Sequence, residues 1–201
     1  INNVVIGHLA GNIITSGDRN VFVGHSAGDA ATDAQYNVGV GNDALTSLTS
    51  GHSNTAVGLG SHAALTTGDY NIAIGREAAD GFDTEDHNLA IGYAALGGSV
   101  AGGEFNTAIG NYTLDALTSG DHNIAIGYSA GSAVTTGGEN TLMGRSAGAG
   151  ITIASYNVAI GSEALDAVVV ERQNTAVGTY ALTSHRTSAS SVSDTGNTAV
   201  G

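Results

Sequence analysis

Proline, cysteine, tryptophan and lysine are all missing from the 201 residues of this chain, and aromatic side chains make up only 5% of it. Without cysteine there are no disulfides and no thiolate metal sites, and the redox compartment cannot be read from thiols. Without lysine, the basic residues reduce to Arg19, Arg76, Arg145, Arg172 and Arg186, against 18 acidic residues and a net charge of −13. No basic patch is available to neutralise phosphates, which excludes nucleic acid as a partner. The same charge opposes an anionic membrane surface, and no apolar run approaches the ~20 residues of a membrane span. No leader-type segment is present. Scarce aromatics mean that any core is built from Ala, Val, Ile and Leu, in thin layers where backbones approach closely. The 31 glycines suit tight bends in such a chain.

What is present is a repeat, and it decides the fold class. The pattern Asn-x-x-(Val/Ile/Met)-Gly begins at Asn3, Asn20, Asn37, Asn54, Asn71, Asn88, Asn106, Asn123, Asn140, Asn157, Asn174 and Asn197. Successive intervals are 17 residues, except for 18 after Asn88 and 23 after Asn174. The single extra residue falls near Gly102–Phe105, and the long interval holds a Ser-rich insertion at Ser184–Asp194, read as a loop bulging from one turn. With Asn as position 1, position 5 is always Gly, and position 8 is Ala in nine of eleven complete units (Ser61 and Thr113 differ). Position 12 is usually apolar, as in Ile14, Leu48, Leu65, Phe82, Leu117 and Val134. Seventeen residues with two glycine turns are too short for a helical repeat, and glycine at this density is costly in helices. The expectation is an all-β parallel β-solenoid of about eleven rungs with two short strands per rung, spanning residues 1–201 as one unit. Since the chain opens at Ile1 and stops at Gly201 inside its own repeat, it reads as one stretch of a longer fibre.

Stacked rungs rise about 4.8 Å each, so identical positions form columns along a rod of roughly 53 Å. Asn at position 1 should hydrogen-bond to the Asn of the next rung. Val/Ile at position 4 is expected to form an aliphatic ladder inside the coil, with position 2 on the same side. Position 3 then faces outward, yet it is apolar and mostly small (Ala56, Ala73, Ala90, Ala108, Ala125, Ala159 and Ala176). A strand apolar on both faces is normally buried on both. The Ala column therefore predicts a close contact with further copies of the chain, unless it faces a wider coil interior in a monomer.

The runs Asn-Thr-Ala-Val-Gly (from Asn54, Asn174 and Asn197) and Asn-Ile-Ala-Ile-Gly (from Asn71 and Asn123), followed by Ala at position 8, resemble the head repeats of trimeric autotransporter adhesins. They are also similar to collar and shaft repeats of phage tail fibres. The resemblance covers nearly the whole chain. It implies a left-handed parallel β-roll, a homotrimer, an extracellular, cell-surface or virion location, and binding to a surface glycan or host receptor. The fuller Leu-Thr-Thr-Gly-Asp half of this unit departs from the adhesin pattern and leans towards tail fibres.

Several motifs mimic chemistry. Gly24-His-Ser26-Ala-Gly28, Gly127-Tyr-Ser129-Ala-Gly131 and Gly144-Arg-Ser146-Ala-Gly148 match the serine-hydrolase elbow, but they recur in the same repeat columns without the strand-turn-helix context. Gly39-x-Gly41-x-x-Ala44 and Gly58-x-Gly60-x-x-Ala63 mimic a dinucleotide loop with no βαβ unit around them. His8 and His25 share position 6 on adjacent rungs and could share a metal, and His87 with His122 share position 17. No His/Cys cluster supports a dedicated site, so they read as turn residues. The position-16 acids Asp18, Asp69, Asp86 and Asp121 suggest adventitious calcium at most, and no cofactor is expected. Thr at position 13 (Thr15, Thr32, Thr49, Thr66, Thr118, Thr135, Thr152) resembles an ice-binding array interrupted at Asp83 and Val100. No catalytic residue is assigned, and His185 in the insertion is read as a loop residue. A self-polymerising extracellular filament subunit would share the same repeat. The columns 6, 7, 16 and 17, with Tyr36, Tyr70, Tyr93, Tyr112, Tyr128 and Tyr156, form the expected recognition surface.

Overall fold

The computed structural model describes residues 2–98, 102–167, 170–183, 193–194 and 196–201. The first seven strands are β1 (Val4–Ile6), β2 (Val21–Val23), β3 (Val38–Val40), β4 (Thr55–Val57), β5 (Ile72–Ile74), β6 (Leu89–Ile91) and β7 (Thr107–Ile109). They continue as β8 (Ile124–Ile126), β9 (Thr141–Met143), β10 (Val158–Ile160), β11 (Glu171–Arg172), β12 (Thr175–Val177), β13 (Ser193–Asp194) and β14 (Thr198–Val200). Twelve of them form a single parallel sheet in the order β1-β2-β3-β4-β5-β6-β7-β8-β9-β10-β12-β14. Pairing is in register with the repeat, for example Thr55↔Ile72, Ala56↔Ala73 and Val57↔Ile74. The molecule is an all-β parallel solenoid of 17-residue turns.

Each turn contributes one three-residue strand to this sheet, not two. The rest of the turn is a chain of tight bends, and among the described residues a second short pairing occurs only at Asp18↔Gln35↔His52 and between β11 and β13. The bends use left-handed backbone at positions 7, 9 and 17, as at Asp43 (φ 56), Leu45 (φ 54) and Ser53 (φ 59). These positions accept Leu, Ser, Tyr, Glu and His. Glycine is indispensable at position 5 for a different reason. There φ is near +140°, as at Gly58, and a Cβ would lie 2.3 Å from the carbonyl oxygen of Gly75 in the next turn.

The Asn column behaves as the sequence implies and does more. Asn71 N–H donates to Asn54 Oδ1 (2.9 Å), and Asn71 Nδ2 donates to the Glu85 carbonyl (2.6 Å), fourteen residues along the same turn. One side chain thus links successive turns and closes its own. All the position-1 Asn residues from Asn20 to Asn174 are buried, which is tolerable because their amide groups are paired.

The inward and outward faces of the strand are the reverse of the expectation. Position 3 points into the coil: Phe22, Ala56, Ala73, Ala90, Ala108, Ala125, Leu142, Ala159 and Ala176 are fully buried. Positions 2 and 4 point out, so the position-4 ladder does not lie inside the coil and the Ala column is not an intermolecular contact. The coil is too thin for two large aliphatics per strand. Its interior is filled jointly by positions 3, 9 and 12, and their sizes compensate. Phe22 sits against Gly28, Leu142 against Gly131 and Gly148, and Gly39 against Leu45.

The 18-residue turn is held by an acid. Glu85, almost fully buried, accepts from the Asp83 and Thr84 N–H groups (2.8 and 3.1 Å) and from Gly102 N–H (2.8 Å). Apart from Glu85 and Glu171, position 15 of the 17-residue turns is Gly or Ala, as at Gly68, where a Cβ would lie 2.3 Å from the Glu85 carbonyl. In the Ser184–Asp194 insertion, residues 184–192, His185 among them, lie outside the described residues. Its end supplies β13 to the small second sheet, so it is not loop throughout.

Candidate interaction surface

Reversing the strand face places 24 side chains of columns 2 and 4 on one outer surface, running the length of the sheet. Five are Thr and the rest are Val, Ile, Leu or Met, with no charged or aromatic residue among them. In mid-sheet, Ile72 is 39% exposed, Ile74 40% and Ile124 44%. With ~4.8 Å between strands and roughly 7 Å between columns 2 and 4, this mostly apolar strip covers on the order of 400 Å². That is the size of the largest apolar patch on a typical monomer, which is often a functional surface.

The turn columns carry the chemistry singled out in the sequence, and the structure brings some of it together. Tyr70, His87, Phe105 and His122 of column 17 stack face to face with centroids 5.1, 4.8 and 5.0 Å apart and planes within 9°. Arg19 lies over the Tyr36 ring at 5.2 Å, and its Nη1 donates to the Tyr36 hydroxyl (2.6 Å). At the corner after position 5, Tyr93, Tyr112 and Tyr128 meet edge to face (5.1 and 5.9 Å), with Arg76 over Tyr93 at 5.6 Å. Tyr156 is half exposed in column 17.

The motif mimics have structural roles. Ser26, Ser129 and Ser146 sit at left-handed turn positions, and each N–H donates to the preceding turn. Ser26 Oγ lies 3.1 Å from His25 Nδ1, the same nitrogen that lies 3.9 Å from Asp43 Oδ1. A proton relay needs the hydroxyl and the carboxylate on opposite nitrogens, so these three groups do not form one. His8 and His25 stack at 5.3 Å with their planes 21° apart. The position-16 acids hold backbone: Asp69 Oδ1 accepts from His52 N–H and Asp86 Oδ1 from Asp69 N–H, both at 2.6 Å. Among the described residues no group of three or more His, Cys, Asp or Glu side chains converges on a metal-sized space. Thr hydroxyls of column 13 are likewise spent along the axis: Thr49 Oγ1 donates to the Thr66 carbonyl (3.0 Å) and Thr118 Oγ1 to the Thr135 carbonyl (3.0 Å). Thr15 and Thr118 are exposed, and the other five are half-buried.

Sequence reasoning missed the outer aliphatic surface because it assigned the large residues inward. The signal that would have found it is the size exchange within one turn, where a large position 3 (Phe22, Leu142) goes with glycine at position 9 (Gly28, Gly148). Only interior neighbours trade volume in this way. Comparisons with protein-family models, curated proteins and solved structures give no match.

Proposed function

We propose that this chain is a structural and adhesive fibre segment, in which three copies pack their columns 2 and 4 together around a common axis. The uncharged, mostly aliphatic strip on the outside of the sheet, unbroken along column 4, carries this reading. A partner for it must be long, flat and apolar with the same ~4.8 Å period, and a second copy of the chain offers all of these. The strip itself bears no charge, so the −13 net charge resides on other surfaces and does not oppose the contact at its centre. Trimeric association, with each coil left-handed as the repeat resemblance implies, would make a stiff rod stabilised by hydrogen bonds along its axis. The turn columns would remain outside, presented to a surface glycan or host receptor from a cell surface or virion.

The test is the solution mass of the 201-residue chain by light scattering. A mass of about 59 kDa, three times 19.8 kDa, supports the trimeric fibre. A monodisperse species of 19.8 kDa overturns it.

A further inference from the structure

Column 17 carries rings at Tyr36, Tyr70, His87, Phe105, His122 and Tyr156, interrupted by the short Ser53 and by the longer, charged Glu139. Going along the axis it holds Arg19, Tyr36, Ser53 and Tyr70, then the stacked His87, Phe105 and His122. Each residue projects from the same left-handed backbone position, with φ of 60° at Tyr36, 59° at Ser53 and 58° at Tyr70. Where rings occupy successive turns they are about 5 Å apart. His87, for example, fills the space between Tyr70 and Phe105 at 5.1 and 4.8 Å. Ser53 has no ring, so the walls on either side of it, Tyr36 and Tyr70, are two turns apart, roughly 10 Å.

Both walls are held in place from behind. Tyr36 is covered on its far face by the Arg19 guanidinium and tethered through its hydroxyl. Tyr70 is backed by His87, with planes only 5° apart, so its other face looks along the axis towards Ser53. The two tyrosines are 50% and 58% exposed, which leaves the slot open to solvent. Ser53 supplies a hydroxyl at its base. In the adjoining column His52 and Asp69 stand beside it, with Nδ1 3.6 Å from Oδ1.

We propose that the gap over Ser53 is a carbohydrate subsite, a slot one ring thick for a β-pyranose whose hydroxyls are all equatorial. Such a sugar presents axial C–H groups on both faces, each able to lie against the π-face of a tyrosine. Its hydroxyls radiate in the plane of the ring, where Ser53, His52 and Asp69 can meet them. An axial hydroxyl would break one of the two faces and lose one wall. The inference deepens the adhesive reading above by naming its ligand class, but it depends on the geometry of one turn column and not on the trimer contact.

The test is saturation-transfer difference NMR on the intact chain with methyl β-D-glucopyranoside and methyl β-D-galactopyranoside as probes. Transfer to the glucoside ring hydrogens is expected, with transfer to the galactoside, which has an axial hydroxyl, at least threefold weaker. Ser53→Tyr should fill the gap and reduce transfer more than fivefold. This variant places in column 17 a residue that the adjacent turns already carry at the same φ. Tyr70→Ala should reduce transfer similarly by removing a wall. No transfer to the native chain, equal transfer to both sugars, or undiminished transfer in Ser53→Tyr overturns the proposal. Transfer to N-acetyl-tyrosinamide and not to the glucoside also overturns it, in favour of an aromatic side chain as the occupant. Light scattering on the same samples separates the two readings: a trimer without transfer removes the slot and leaves the fibre, and a binding monomer does the reverse.

Discussion

The ring of Phe22 occupies the space that a side chain on Gly28 would need, since a Cβ at residue 28 would lie 2.6 Å from its Cδ1. The two residues share one turn and behave as a single volume. Phe22→Ala should cost about 3–5 kcal/mol through the cavity it leaves, and Gly28→Leu alone about 1–3 kcal/mol or more through overpacking. The double variant reproduces the Ala–Leu arrangement of Ala90 with Leu96 and should recover most of the loss. Urea unfolding of the four proteins checks this, with a coupling energy above about 1 kcal/mol expected.

Asn71→Ala removes the acceptor of Asn88 N–H (2.9 Å) and the donor to the Glu85 carbonyl (2.6 Å) in a fully buried site. Both backbone groups are then left unpaired away from water. The expected loss is about 2–4 kcal/mol. Asn71→Asp should be no better, because it keeps an acceptor but buries a charge and loses the donor. Thermal unfolding followed by circular dichroism measures both.

Two neighbouring glycines should respond very differently. Gly58→Ala places a Cβ 2.3 Å from the Gly75 carbonyl oxygen at φ +140, and the variant should fail to form the solenoid. Gly60→Ala meets nothing closer than Glu77 Cγ at 3.8 Å, and its φ of +65 resembles that of Ala94 (φ 50). Its cost should stay near 1 kcal/mol, the ordinary penalty for a left-handed residue. Soluble yield and the β-sheet circular dichroism signal distinguish the two.

His62 is fully buried at a position where the other large occupants are leucines, and desolvation pushes its pKa down to about 4 from 6.5. The Ala79 carbonyl, 3.2 Å from Nδ1, opposes this shift only in part. The unfolded chain therefore takes up the proton first as pH falls. Stability from this group is complete above pH 6.5 and declines towards pH 4, by about 3 kcal/mol in all. His62→Leu should flatten that part of the stability profile. Urea midpoints at pH 7.5, 6.0 and 5.0 for both proteins are the measurement.

Charges on the outer strip should break assembly without unfolding the coil. Ile72→Asp and Ile124→Asp alter side chains that are 39% and 44% exposed on the single chain. Light scattering should show a fall from the proposed trimer to the 19.8 kDa monomer, while the β-sheet circular dichroism signal is retained. Ala73→Asp, one residue away but fully buried, should instead abolish folding.

Much of the fold was legible in the sequence because parallel in-register stacking repeats every local environment at one interval. The Asn column and the Gly column follow from that interval alone. The one-strand turn did not follow, because the bends at positions 7 and 9 are left-handed without being glycine. Leu45 and Asp43 carry no local mark of that conformation. The stacked rings of column 17 were visible as shared positions, as for His87 and His122. That Phe105 joins them required knowing where the extra residue of its turn is absorbed, beside the Glu85 carboxylate.

By itself the sequence determined the period, the parallel register, the all-β class and the identity of each column, because stacked identical turns admit only one alignment of Asn on Asn. It could not determine which face of the strand is the inside. Thr55-Ala56-Val57 is apolar enough on both faces for alternation to be silent about direction. That choice belongs to the tertiary structure: the glycine bend after position 4 and the left-handed residue before Asn turn the chain back across position 3. A coil this narrow has room there for alanine and a leucine from the opposite bend, but not for two columns of valine and isoleucine.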